Sequence, residues 1–243
     1  LKAHDPTDSA TTFAELGRIF AELGRIKLGE TDLNGVLHQV ADLARRTLPG
    51  AGQVSITMIR GDDAYTAAHT SETALLLDEH QYARSGGPSL EAAHGKTTVV
   101  VRDGANDDRW DGWPLLAAEA GYRSVLAVGL PVVETMAGAL NLYGERPDGF
   151  DDDGVTLAQT FVRYAGVALA NAHLYDSTAS LAQHMQAAME SRAVIEQAKG
   201  IIMGERRCSA DEAFAILTKV SQDSNRKLRD VAAALVERTQ RAP

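Results

Sequence analysis

All of the strand-like sequence in this chain lies before residue 144, and from residue 177 to the end no strand candidate occurs. Alternation at period two marks the first part, whereas Ala, Leu, Glu, Gln and Arg dominate the second. No single sheet can run through a chain divided in this way. It has to close a mixed α/β unit first and an all-helical unit after it, and 243 residues leave room for two domains of ordinary size. An apolar fraction of 44% with 23% charged residues is that of a folded globular chain. The longest apolar stretch, residues 125–133, is far short of the roughly 18–20 residues that span a bilayer. The single cysteine, Cys208, excludes an intrachain disulfide framework and a multi-cysteine zinc site. With no basic-then-apolar secretion signal at its start, the chain is expected to be cytoplasmic and to make no membrane contact.

In the first unit, Thr31 and Asp32 can cap a helix whose apolar face carries Leu33, Val36, Leu37, Val40 and Leu43 before Pro49-Gly50 ends it. Val54-Ser-Ile-Thr-Met58 reads as a strand, with residues 66–70 as its hairpin partner across Gly61-Asp62-Asp63. Helices are expected at 74–83, 91–93 and 115–120, a strand at 97–101, and an Asp-rich loop over 103–111. The strongest strands are 124–130 and 137–143, and from Asp151 a helical pattern runs to Gly204 with room for one break. This order predicts an α+β sensor-like fold, an antiparallel sheet with flanking helices. Ahead of it stand two identical heptads, Phe13-Ala-Glu-Leu-Gly-Arg-Ile19 and Phe20-Ala-Glu-Leu-Gly-Arg-Ile26. Phe13, Leu16, Phe20 and Leu23 have the a/d spacing of a helix seam, packed on its own domain or on a second subunit.

Three helices are legible at the C-terminal end. The first supplies Ile195, Ala198, Ile202 and Met203 to a core and ends near Gly204. The second opens at the capping box Ser209-Ala-Asp-Glu212 and carries Ala213, Phe214, Leu217 and Val220 on one face. The third begins at Ser224 or Asn225 and carries Leu228, Val231, Ala232, Leu235 and Val236. Residues 191–243 hold ten Lys/Arg against seven Asp/Glu, whereas residues 1–190 hold fourteen against twenty-six. An acidic body with a basic end places any polyanion contact at the end. Arg226, Lys227 and Arg229 are expected in the first turn of the third helix, where the macrodipole disfavours cations. Cations beside unpaired first-turn N–H groups make an anion site.

Catalytic constellations fail one after another. His-Glu-x-x-His, Gly-x-Ser-x-Gly and Walker sequences do not occur, and the seven histidines show no ligand spacing. Asp103, Asn106, Asp107, Asp108 and Asp111 lack the alternation and central Gly of a calcium loop. Cys208 precedes a helix N-terminus, a setting that favours a thiolate, but nothing beside it makes a redox pair. The expectation is a chain with no catalytic residues, no metal and no cofactor.

The C-terminal unit closely resembles the ANTAR domain, the RNA-binding three-helix module of bacterial transcription antiterminators. The resemblance runs through Ser191-Arg-Ala-Val-Ile-Glu-Gln-Ala-Lys-Gly-Ile-Ile-Met203, Ser209-Ala-Asp-Glu-Ala-Phe214, Ser221 and Asn225-Arg-Lys-Leu-Arg-Asp-Val-Ala232. The preceding region is similar to a GAF domain, a sensing fold often attached to ANTAR modules in actinobacteria. It shows this in Gly87-Pro88-Ser-Leu-Glu91, Asp108-Arg-Trp110, Arg123-Ser-Val-Leu126 and Gly138-Ala-Leu-Asn-Leu-Tyr143. Relatives often carry Cys after the Gly-Pro, where this chain has Ser89. The implied domains are a GAF-like unit over 1–170, a helical or coiled-coil linker over 171–190 and an ANTAR bundle over 191–243.

The resemblance implies a regulator, not an enzyme. ANTAR proteins bind paired stem-loops in nascent leader RNA, one module of a homodimer per loop, and prevent an overlapping terminator hairpin. Arg192, Lys199, Arg206, Ser221, Asn225, Arg226, Lys227 and Arg229 are expected to form the RNA face, with Gln197 a further group able to read a base. The ring of Phe214 is assigned to the core. A small molecule or a partner protein would supply the signal to the GAF half, on the sheet face covered by residues 74–116. A DNA-binding regulator and an enzymatic GAF relative are the rival classes, and the second needs reactive cysteines that residues 1–190 do not contain.

Overall fold

In a computed structural model, which describes residues 17, 21–25, 31–133 and 136–240, the first described long helix starts where a side chain can cap it. The Asp32 carboxylate accepts the Gly35 N–H at 2.9 Å and opens α1 (Leu33–Thr47), which buries Val36, Leu37, Val40, Ala41, Leu43 and Ala44. Strands β1 (Gln53–Arg60) and β2 (Asp63–His69) form a hairpin whose turn uses Gly61 at φ +62°. Ser71 caps α2 (Glu72–Ala83), and Pro88 sits in the first turn of α3 (Pro88–Gly95). Then come β3 (Thr98–Val101), two single 3-10 turns, α4 (Trp113–Glu119), β4 (Ser124–Val133) and β5 (Met136–Gly144). All pairings are antiparallel, in the order β2-β1-β5-β4-β3.

Both faces of this sheet are covered, so alternation along β1 separates two interiors, not inside from outside. Val54, Ile56 and Met58 join Leu126, Val128, Leu140 and Leu142 against α1 and against Phe161, Val162, Ala165 and Leu169. Ser55, Thr57 and Ile59 point the other way, towards α2, α3 and α4. On that second face α3 rests directly on backbone. A Cβ built on Gly129 would lie 2.6 Å from the Ala92 carbonyl and 2.8 Å from Lys96 Cα. Gly129→Ala is therefore expected to cost about 3 kcal/mol of sensor-domain stability, the upper part of the usual overpacking range, read as a lowered urea midpoint.

One unbroken helix, α5 (Asp152–Arg206), follows for 55 residues. The break allowed for in its sequence is not made. Of its glycines, Gly166 has a packing reason: a Cβ there would meet the Pro131 carbonyl at 2.7 Å, so the helix passes close to β4. The chain divides at Asp176/Ser177 into two compact units. Most of the duplicated heptads lies outside the described residues. Leu23, 6% exposed, belongs to the core beside α1, and Glu22 pairs with Arg46 at 3.2 Å.

In the second unit, residues 177–206 of α5 are followed by α6 (Ala210–Ser224) and α7 (Leu228–Gln240). The predicted capping box is present: Ser209 Oγ accepts the Glu212 N–H, and the Glu212 carboxylate accepts the Ser209 N–H at 2.8 Å. The core is made of Ala198, Ile202, Ala213, Leu217, Val231 and Ala232. Three expected core members are exposed instead: Met203 at 37%, Phe214 at 44% and Val220 at 48%. Half of the fully packed positions are alanines, the small side chains that let packed helices approach closely. Phe214 stands about 100° around α6 from Ala213 and turns outward.

The third helix also starts later than expected. Asn225 adopts the left-handed conformation (φ +49°) and closes α6, its N–H on the Gln222 carbonyl and that of Arg226 on the Ser221 carbonyl. The Lys227 carbonyl accepts the N–H groups of Asp230 and Val231, so Lys227 holds the N-cap position of α7. Asn is a good starter of helices and also the residue other than Gly that best tolerates the left-handed stop. Here the stop wins.

Candidate nucleic-acid interface and sensor interior

The turn between α6 and α7 gathers five of the eight expected interface residues. Asn225, Arg226 and Lys227 are consecutive and exposed, with Arg229 one step into α7. The Ser221 hydroxyl donates to the Arg226 carbonyl at 2.6 Å, so it braces the turn and offers only its lone pairs outward. Arg226 and Lys227 are thus not first-turn residues, and the expected contest with the macrodipole falls on Arg229 alone. Arg229 answers it by pairing with Asp230 at 3.3 Å. Arg226 reaches across α7's first turn to the Asp230 carbonyl at 3.4 Å.

Arg192, Lys199 and Arg206 lie on α5, apart in sequence from that turn. Arg192 and Arg206 are exposed. The Lys199 side chain is 17% exposed and donates to both Glu196 oxygens at 3.1 Å, so its charge is already answered. Gln197 lines a cleft of about 460 Å³ with Gly200, Ile201, Val236, Thr239 and Gln240.

The inner face of the first unit, under α2–α4, is filled by a polar chain. The Thr66 hydroxyl donates to Asp78 Oδ2 at 2.9 Å, which leaves it to accept from the Tyr82 hydroxyl at 2.8 Å. Tyr82 in turn accepts from Thr57 at 2.9 Å, and Thr57 accepts from Asn141 Nδ2 at 2.9 Å. Asn141 Nδ2 also donates to Ser55 at 3.0 Å, while its Oδ1 is buried with no hydrogen-bond partner among the described residues. The Tyr143 hydroxyl completes the cage by donating to Asp78 Oδ1. Asp78 is fully buried, and burial pushes its carboxyl up to about 6 against the pull of the Tyr143, Ser55 and Thr66 hydroxyls and of His69. A cleft of about 340 Å³ in this unit lies elsewhere, along α1 beside Glu22, Gln39, Asp42 and Arg46.

A GAF domain model matches residues 30–170 and an ANTAR domain model matches residues 183–236. This chain is a GAF-ANTAR protein. Its fold is similar to that of the GAF domain of a phosphoenolpyruvate-protein phosphotransferase from Coxiella burnetii, with a TM-score of 0.53 and 15% identity over 68% of this chain and 96% of that one. The corresponding domain from Acinetobacter gives 0.51 and 16% over 68% and 96%. A free methionine-R-sulfoxide reductase from Neisseria meningitidis, in complex with its substrate, gives 0.51 and 16% over 74% and 96%. At such identities the likeness is one of fold. No curated protein matches the chain.

The GAF-ANTAR architecture couples a small-molecule sensor domain to an RNA-binding antitermination domain. In this member, the position after Gly-Pro is locked. Gln81 Nε2 donates to Ser89 Oγ, and the Ser89 N–H donates to Gln81 Oε1, both at 2.9 Å and fully buried. Gly87 permits this clamp, because at its φ of +152° a Cβ would lie 2.2 Å from Gln81 Oε1. The Asp-rich loop is tied to the protein. Asp103 takes two hydrogen bonds from Arg123 at 2.8 Å, which hold its carboxyl at about 2. Arg109 binds Asp107 and stacks 4.3 Å over Trp110, whose indole donates to Glu91 at 3.0 Å. Sequence reading missed the polar chain, since Ser and Thr alternating with Val, Ile and Met read as a solvent face. A signal was present in Leu75-Leu-Leu-Asp78, where a carboxylate closes an apolar run.

Proposed function

We propose that this GAF-ANTAR protein is a cytoplasmic, homodimeric antitermination regulator without enzymatic activity. Its α6–α7 turn grips the loops of paired stem-loops in nascent leader RNA and keeps an overlapping terminator from forming. The observation that carries the reading is the run Asn225-Arg226-Lys227, held outward and exposed by a left-handed cap, with Arg229 beside it. Two cations in a rigid turn hold loop phosphates, and Asn225 offers donor and acceptor to a splayed base. Arg192 and Arg206 extend the charge along α5, Ser221 supports the turn, and Lys199, already paired with Glu196, contributes least. A small molecule or partner protein sets RNA binding through the GAF domain. The chain's only cysteine lies outside residues 30–170, so that domain has no thiol for sulfoxide chemistry.

Titration of a two-hairpin leader RNA at two salt concentrations tests this. Arg226→Ala and Lys227→Ala should weaken all RNAs alike and each lower the salt slope by about 0.7–0.9. Asn225→Ala should cost about 1–3 kcal/mol for the correct loop only, on the scale of bidentate base contacts in DNA. Lys199→Ala should change least. Equal binding of duplex DNA of the same sequence, or unchanged affinity in all four variants, would sink the reading.

A further inference from the structure

We propose that Phe214 is a base-stacking platform of the RNA face, against which one unpaired loop base lies. This rests on the RNA-binding reading above. The ring is not part of the bundle core, which closes on Ala198, Ile202, Ala213, Leu217, Val231 and Ala232, and Phe214 stays 44% exposed. Its place on α6 is specific. Thr218 and Ser221 follow it at i+4 and i+7, within about 40° of the same helix face. That line ends at the Asn225-Arg226-Lys227 turn. Seven residues of helix cover about 10 Å from Phe214 to Ser221, which is about three nucleotides at ~3.4 Å each. One loop strand can lie over the ring and reach the cations.

The surface between them favours a base over a protein side chain. Thr218 Oγ1 turns back on the Phe214 carbonyl at 2.9 Å, so its hydroxyl proton is committed within the helix. The Ser221 hydroxyl is likewise committed to the Arg226 carbonyl. Beside the ring these two short side chains lead to positive charge at one end; Asp211, a turn before Phe214, bounds the line at the other. An aromatic face next to cations suits a stacked nucleotide, whose base meets the ring while its phosphate meets Arg226 or Lys227. A second copy of this chain would need a wider apolar surface than one ring provides.

The experiment uses the full chain and the tightest two-hairpin RNA that it selects from a pool with randomised loops. Phe214→Ala and Phe214→Leu should each weaken binding about 5- to 100-fold, the range for one lost stacked base, with the salt slope unchanged. Phe214→Trp should bind at least as well as the parent. A loop 2-aminopurine should be quenched by the parent protein and by Phe214→Trp, and not by Phe214→Leu. Leu is the deciding variant, because it keeps an apolar side chain and removes the π-face. Parent-like affinity with Phe214→Leu would overturn the proposal, as would a Phe214→Ala variant that changes only the mass by light scattering. A parent protein that selects no RNA would bring down the RNA reading itself, and this inference with it.

Discussion

Asp78→Asn should stabilise the sensor domain by about 3 kcal/mol at pH 7.5 and by almost nothing near pH 4. Burial holds the folded carboxyl at about 6, against 3.8 for an unperturbed one. Between those values the folded state holds a proton that the unfolded state has lost, so the group's stabilising contribution is complete below about 4 and is lost as pH rises through about 6. The gap corresponds to about 3 kcal/mol once both states are ionised. An amide at this position imitates the protonated acid, and the surroundings are able to receive it. With Asp78 donating, Thr66 turns its proton to Tyr82, Tyr82 to Thr57, and Thr57 to Asn141. A rotation of the Asn141 amide then presents Oδ1, the oxygen now buried with no hydrogen-bond partner among the described residues, as the final acceptor. The hydroxyls can thus donate in either direction, while the rotated Asn141 Nδ2 takes the place where Oδ1 now has no such partner. Urea unfolding of both proteins from pH 4 to 8 provides the check: the parent should weaken as pH rises through about 6 and the variant should not. Parallel curves would show that Asp78 is ionised in the folded protein across the whole range.

How much of this was legible in the sequence depends on how local the determining contacts are. Asp32, Ser71 and the Ser209–Glu212 box act within one helical turn, and elements start where they stand. Strands β1 and β4 were legible because repeated Val, Ile and Thr favour extended chain whatever covers either face. The polar chain was not, since Ser55, Thr57 and Asn141 are buried by helices distant in sequence. Leu76 at 59% exposure and Asp78 at 0% invert what hydropathy alone would assign. The candidate RNA face was found through its residues and the ANTAR resemblance, but the helix-dipole argument for it was misplaced by three residues, because Asn225 ends one helix without beginning the next. Phe214 was misassigned for a related reason. Periodicity tells which residues share a face, not how closely alanine-rich helices approach.

The double variant Leu181→Asp, Met185→Asp should leave both units folded, remove dimers at micromolar concentration, and lower affinity for a two-hairpin RNA by about 10²–10⁴-fold while affinity for a single hairpin stays the same. In the single chain these side chains are 60% and 59% exposed, so carboxylates there disturb no core. They belong to a repeat of sevens on α5. Val167, Leu174, Leu181 and Ala188 form one row, and Met185 stands four residues after Leu181 in the second, the a/d spacing of a two-helix seam. Val167 is 60% exposed and Met189, beside the seam, 67%. Apolar residues repeated at this spacing on an exposed helix face gain nothing from water, and in the proposed homodimer a second copy of the same stripe would cover them symmetrically. Two carboxylates per chain would place four like charges at the centre of that seam. Avidity then separates the two RNAs: pairing two modules makes the second loop's binding intramolecular, which a one-loop RNA never exploits. A two-hairpin RNA that binds the monomeric variant as tightly as the parent would show that each module reads its loop alone and that α5 pairs for some purpose other than RNA.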